Sequence, residues 1–254
     1  IMTSLRKQKN IICKATAALL WLALWAAAAA LVGRDLLLPG PLTVLRALAK
    51  MACEVSFWKS CAATLGRIMA GFALGLFLGC ALGALSWRFP LCREFFAPIL
   101  SVVKATPVAS FILLALVWLR VSNVPVCTAV LIVTPVAYSN VFTGLAALDP
   151  DLLEMAGAFH MRAPARLKYL YFPALAPYLR AAVAAGMGMA WKSGVAAEVI
   201  CIPKFSLGAI MYRAKVYLET PELLAATAAV ILLSMALEKI VLRLIRPKGG
   251  EGDA

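Results

Sequence analysis

Acidic residues are scarce in this chain, histidine is nearly absent, and no cysteines stand at metal-ligand spacing. Of 254 residues, 12 are Asp or Glu and one is His. A single histidine excludes the H-E-x-x-H zinc motif. The seven cysteines include no C-x-x-C pair and lie mostly in or beside apolar runs, where Cys behaves as a small hydrophobe. Neither a metal site nor a disulfide framework is expected. The chain lacks G-x-x-x-x-G-K-[ST] and G-x-S-x-G, which removes a P-loop nucleotide site and a hydrolase nucleophile elbow. No catalytic residue, metal or cofactor is therefore expected. The chain is not read as an enzyme, and any energy source belongs on another subunit.

Apolar residues are what the chain has instead. It is 63% hydrophobic with a mean hydropathy of +0.90, and only 15% of its residues are charged, against about 25% in soluble domains. Several runs approach the roughly 20 residues a helix needs to cross the hydrocarbon core. They show no strand-like alternation, which leaves helices as the spanning elements. The expected fold class is an all-α polytopic membrane protein with about six transmembrane helices, near 15–33, 62–86, 97–120, 124–147, 174–201 and 222–243. The domain reading is a basic arm over 1–14, one transmembrane domain over 15–245 containing a loop at 149–173, and a tail over 246–254. Arg6, Lys7, Lys9 and Lys14 at one end, and Lys239, Arg243, Arg246 and Lys248 at the other, put both termini on the cytoplasmic side by the positive-inside rule. The first run follows a basic arm and is rich in alanine, like a signal peptide, but is read as an uncleaved anchor. The net charge of +13 fits loops facing anionic lipid, and no compact basic domain exists to hold nucleic acid.

Gly71, Gly75, Gly79 and Gly83 recur every fourth residue in the second span, making a smooth stripe against which another backbone packs closely. The fifth span has a similar stripe through Ala182, Gly186, Ala190 and Gly194, ending at Glu198. Ionisable groups at membrane depth are costly and face protein or a watery cavity. Lys192, near mid-span, and Glu198, near the outer end within reach of interfacial water, either contact a translocation pathway or brace the bundle. Lys104, Asn140 and Trp191 are further pathway candidates, with snorkelling to the interface the plainer reading of Lys104. Between spans, Pro41–Ala49 and 203–220 read as short amphipathic helices on the outer surface, the first carrying Leu42, Leu45 and Leu48.

The charged insert DPDLLEMAGAFHMRAPARLKYLYFP over 149–173 does not belong in lipid. Asp149 caps a helix, Pro150 suits its first turn and Asp151 complements its dipole. Leu152, Met155, Ala156 and Phe159 share one face, which has no use in a solvated loop unless something covers it. Ala163-Pro164 is expected to stop this helix, and 165–171 to add two more turns.

Glu154, Ala156 and Pro173, behind Asp149-Pro150, resemble the EAA loop of ABC-importer permeases. Leu38-Pro39-Gly40-Pro41, the run Gly71–Gly75, Thr106-Pro107-Val108-Ala109 and Ala190-Trp191 through Glu198 are similar to the nitrate/sulfonate/taurine branch, in order over roughly residues 35–245. His160 departs from the pattern, since the family has Gly at that position, so the bend is expected to rest on Ala163-Pro164. The resemblance implies a type I permease in the bacterial cytoplasmic (inner) membrane. Its implied partners are a second permease copy, two ABC ATPase subunits and an extracytoplasmic substrate-binding protein. Leu152, Glu154, Met155, Ala156, Phe159, His160 and Pro173 would couple it to the ATPase, and the solute would be a small anion or related metabolite. A secondary transporter or channel is the rival reading, though no inverted repeat is visible; a membrane-embedded enzyme is disfavoured by the sparse acids.

Overall fold

The computed structural model describes residues 2–245; Arg246, Lys248 and the rest of the 246–254 tail lie outside them. The elements are α1 (Met2–Val32), α2 (Pro41–Ala52), α3 (Val55–Arg88), α4 (Pro90–Ala105), α5 (Val108–Trp118), α6 (Val124–Ala146), α7 (Pro150–Ala158), α8 (Ala163–Arg166), a π-helical turn (Leu167–Tyr171), α9 (Phe172–Cys201), α10 (Leu207–Val216) and α11 (Thr220–Ile245). Among the described residues no strand occurs, as the patterning required. α3, α6 and α11 are each long and apolar enough to cross a membrane. α9 is 30 residues long but carries Arg180, Lys192 and Glu198. The apolar part of α1 is Leu19–Val32.

The third expected span, 97–120, is not one helix. α4 and α5 meet at a bend of 106°. Thr106 sits in extended geometry (φ −79°, ψ 131°), because the residue before a proline is driven out of the helical region, and α5 restarts after Pro107.

Packing divides the chain into two compact units. The first takes the chain through Trp58 together with Ile210–Val230. In it α2 buries Val44 and Met51, while Leu42 and Leu45 stay about 60% exposed. Thr220 Oγ1 donates to the Leu36 carbonyl. A cavity of about 330 Å³ opens between Lys50, Glu54, Arg213, Glu219 and Glu222.

The second unit takes Lys59–Ala209 and the chain from Ile231 onward. α6 is its centre, with Val133, Ala137 and Val141 buried. The glycine stripe of α3 lies directly on it. A Cβ at Gly71 would fall 2.6 Å from the Ala129 Cβ, and at Gly79 2.5 Å from both the Ala137 Cβ and the Thr134 carbonyl. α9 packs beside them, with Gly194 under Ile68 and Gly186 against Phe72 and Val133. Close backbone approach of this kind replaces the hydrophobic driving force that lipid does not supply. At one end of α6, Val141, Leu145 and Leu148 form a cluster with Trp87, Leu170, Tyr171 and Leu175, which fastens the end of the insert to the bundle.

Candidate coupling and translocation sites

The insert begins as its sequence required. Asp149 Oδ1 accepts from the Asp151 N–H at 2.9 Å, and Pro150 occupies the first turn of α7. Its end differs from expectation. α7 stops at Ala158, well before Ala163-Pro164, and that pair instead opens α8. The stop is a Schellman closure: the His160 N–H donates to Gly157 and the Met161 N–H to Ala156, at 2.9 and 3.1 Å. His160 therefore stands in the left-handed region, with φ 48°, where a glycine carries no steric cost. Its ring Nδ1 lies 3.1 Å from the Gly157 carbonyl, an added tie a glycine lacks. So the bend rests on His160 itself, and Pro164 suits the first turn of the next helix because its missing N–H is not needed there.

Of the apolar face, Leu152, Met155 and Phe159 are 41%, 48% and 77% exposed, and Ala156 is 1% exposed. Ala156 is thus no contact surface. Its methyl is buried, and its carbonyl accepts from Arg166 Nη2 at 3.0 Å as well as from Met161. Glu154 is exposed on the same helix and, among the described residues, has no hydrogen-bond or ion-pair partner. Pro173 lies in the first turn of α9, directly after the π turn. Lacking an N–H and crowding the carbonyl four residues back, it accounts for the wide turn, which the Phe172 N–H closes on the Leu167 carbonyl.

At the far end of α9, Glu198 is fully buried and does not reach interfacial water. Its carboxylate accepts from Arg67 Nη1 at 2.9 Å and from Thr64 Oγ1 at 2.7 Å. Arg67 also donates to the Lys204 and Phe205 carbonyls, and Thr64 Oγ1 accepts from the Leu207 N–H. The network ties α3, α9 and the turn before α10 together. That turn holds two strained residues, Ile202 and Phe205, at φ 54° and 53°. Such conformations persist where surrounding bonds over-determine them. Sequence reasoning missed Arg67. The signal was present, since Arg67 stands one step before Gly71 in the same four-residue series, as Glu198 stands one step after Gly194.

The remaining pathway candidates separate. Lys192 is exposed on α9. Trp191 is 3% exposed and its Nε1 has no partner among the described residues. Asn140 donates to the Val136 carbonyl on its own helix. Lys104 does not snorkel away, for its Nζ donates to Ser139 Oγ on α6 at 2.7 Å.

Comparison with known proteins bears on these sites. A family model described as a binding-protein-dependent transport system inner membrane component matches residues 71–248. A probable ABC transporter permease of Brucella melitensis is 24% identical over 80% of this chain and 83% of its own length. The taurine transport system permease TauC of Escherichia coli K12 is 25% identical over 93% of this chain and 89% of its own. Among solved structures, a chain of the methionine ABC transporter MetNI in an inward-facing conformation superimposes with a TM-score of 0.53 at 16% identity, covering 75% of this chain and 94% of that one.

Proposed function

Because this chain belongs to the family of inner-membrane components of binding-protein-dependent transport systems, we propose that it couples to its ATPase through the 149–173 insert. It is the permease subunit of an ABC importer, a membrane component that works with a separate ATPase and a substrate-binding protein. The observation that carries the coupling role is α7 itself. It is capped at Asp149, closed at His160 and braced by Arg166, and it leaves Leu152, Met155 and Phe159 exposed around an unpaired Glu154. A stiff helix with an uncovered apolar face and one free carboxylate suits a cleft with an apolar floor and a basic rim. ATP-driven closure of two such clefts would move two inserts together and rock the bundle as a rigid body.

The assembly proposed is two copies of this chain, two ATPases and one external binding protein, with both termini and the insert in the cytoplasm. The transported solute is a small anion of the sulfonate, taurine or nitrate kind. TauC, a taurine permease by name, supports that class, as does the exposed Lys192. The test is Glu154→Lys in the reconstituted importer. ATP-driven uptake should fall at least tenfold while the permease still inserts and purifies. Unchanged uptake would remove the coupling assignment.

A further inference from the structure

We propose that Lys104, held against Ser139 beside the bend between α4 and α5, takes the anionic group of the solute as it crosses the membrane. This rests on the importer reading and adds the residue that receives the solute's charged group.

Two observations place Lys104 well inside the bilayer. Its Nζ is 2.7 Å from Ser139 Oγ, and Ser139 stands two helical turns before the end of α6, roughly 10 Å along its axis. From the other side, Ile112 and Ala115 of α5 pack with Val124 at the start of α6 and with Ala197 and Cys201 at the end of α9. Val124 stands fifteen residues before Ser139 on α6, roughly 22 Å along its axis, so the helix runs on well beyond Lys104 on that side. Lys104 thus lies roughly 10 Å inside one end of α6 and roughly 22 Å from the other, too deep for its ammonium to sit among the headgroups.

At this depth Lys104 is exposed on the chain, and among the described residues no carboxylate is within ion-pair distance; the one ion pair formed is Arg67–Glu198. A bare ammonium does not face hydrocarbon, so the surface it occupies faces water or another protein chain. Ser139 orients Nζ but brings no charge to it, since its hydroxyl accepts from Nζ and donates its own hydrogen bond to the Pro135 carbonyl at 2.9 Å. The ammonium has two protons left unused. α5 also begins at this bend with no side chain capping its first turn, so its dipole adds field of the same sign. A fixed cation with spare donors, where it faces water, is a subsite for a sulfonate, carboxylate or nitrate oxygen. The competing occupant is a carboxylate from the second copy. Glu238, exposed on α11 about two turns from the end of its helix, is the acid tested for that role.

The test uses the whole complex of permease, ATPase and binding protein in liposomes. Uptake of taurine, methanesulfonate and nitrate is measured, with uncharged uracil as control. The wild type should accumulate at least one of the anions. Lys104→Met should lower that uptake tenfold or more, with binding-protein-stimulated ATP hydrolysis within threefold of wild type, and Lys104→Arg should retain at least a third of the uptake. Glu238→Gln should leave uptake within twofold. The proposal is overturned by Lys104→Met transport within twofold of wild type, by loss of hydrolysis together with uptake in both Lys104 variants, or by Glu238→Gln reproducing Lys104→Met. Wild-type accumulation of uracil alone, or of none of the three anions, also overturns it. Accumulation of uracil alone would still leave an ATP-driven importer, whereas absence of any ATP-driven uptake would strike the importer reading as well.

Discussion

Arg67 and Glu198 are the residues on which the far end of α9 depends. Replacing one partner of a buried ion pair strands the other, which costs about 3–5 kcal/mol. Arg67→Ala should therefore lower the thermal midpoint of the purified protein sharply, and adding Glu198→Gln should recover much of the loss by removing the stranded charge. An equal loss in single and double variants would show that the pair itself contributes little. The same replacement frees the Lys204 and Phe205 carbonyls, so faster amide exchange should appear in the turn before α10. The sequence alone showed Glu198 as an ionisable end to a small-residue stripe. Its partner Arg67 stands one step before the α3 series, which is visible as a stripe only from its first glycine, Gly71. His160 was read as a departure that would move the bend, yet the backbone there adopts the geometry a glycine would have. The α7 ending is set by the carbonyls it must satisfy, and a histidine that pays the steric cost of positive φ recovers part of it through its ring contact.

At the scale of elements, the packing of α3 on α6 is a near-contact of backbones, and its glycines are not interchangeable. Gly79→Ala would drive a methyl to 2.5 Å from the Thr134 carbonyl and the Ala137 Cβ, forcing the helices apart at a cost of about 1–3 kcal/mol. Gly188→Ala meets nothing within 4 Å and should be neutral or mildly stabilising, by up to about 1 kcal/mol. Paired thermal melts of the two variants check this, and equal melts would mean that the contact gives way freely. The four-residue spacing made this stripe visible in advance. The break between α4 and α5 was less so. Thr106-Pro107 interrupts the third apolar run, but a proline states only that its predecessor leaves the helix. The 106° turn comes from where α5 finds its apolar partners, among residues distant in sequence.

For the molecule as a whole, the spanning helices α3, α6 and α11 followed from hydropathy because lipid imposes one rule on every residue of a crossing, whereas the third expected span is two helices and the fifth, α9, carries three charged residues. Which exposed faces meet lipid and which meet a second copy leaves no comparable mark, since Leu and Phe serve both. Leu113, Leu114, Val117 and Trp118 of α5 are all exposed on the single chain. We expect the assembled importer to contain two copies of this permease. Co-expression of two differently tagged copies with the cognate ATPase should yield complexes that carry both tags. Recovery of each tag alone, beside a different permease, would establish a mixed pair instead.

From Ala163 the backbone passes through α8, the π turn and α9 to Cys201 without leaving helical geometry, roughly 60 Å of rod. In the proposed coupling, movement of α7 would enter this rod through the Arg166–Ala156 bond and reach the Arg67–Glu198 end as rotation or sliding, with the wide turn before Pro173 setting the angular phase between the two. In machine terms the insert and the far end of the bundle share one shaft, and the timing between them is cut into it at a single turn.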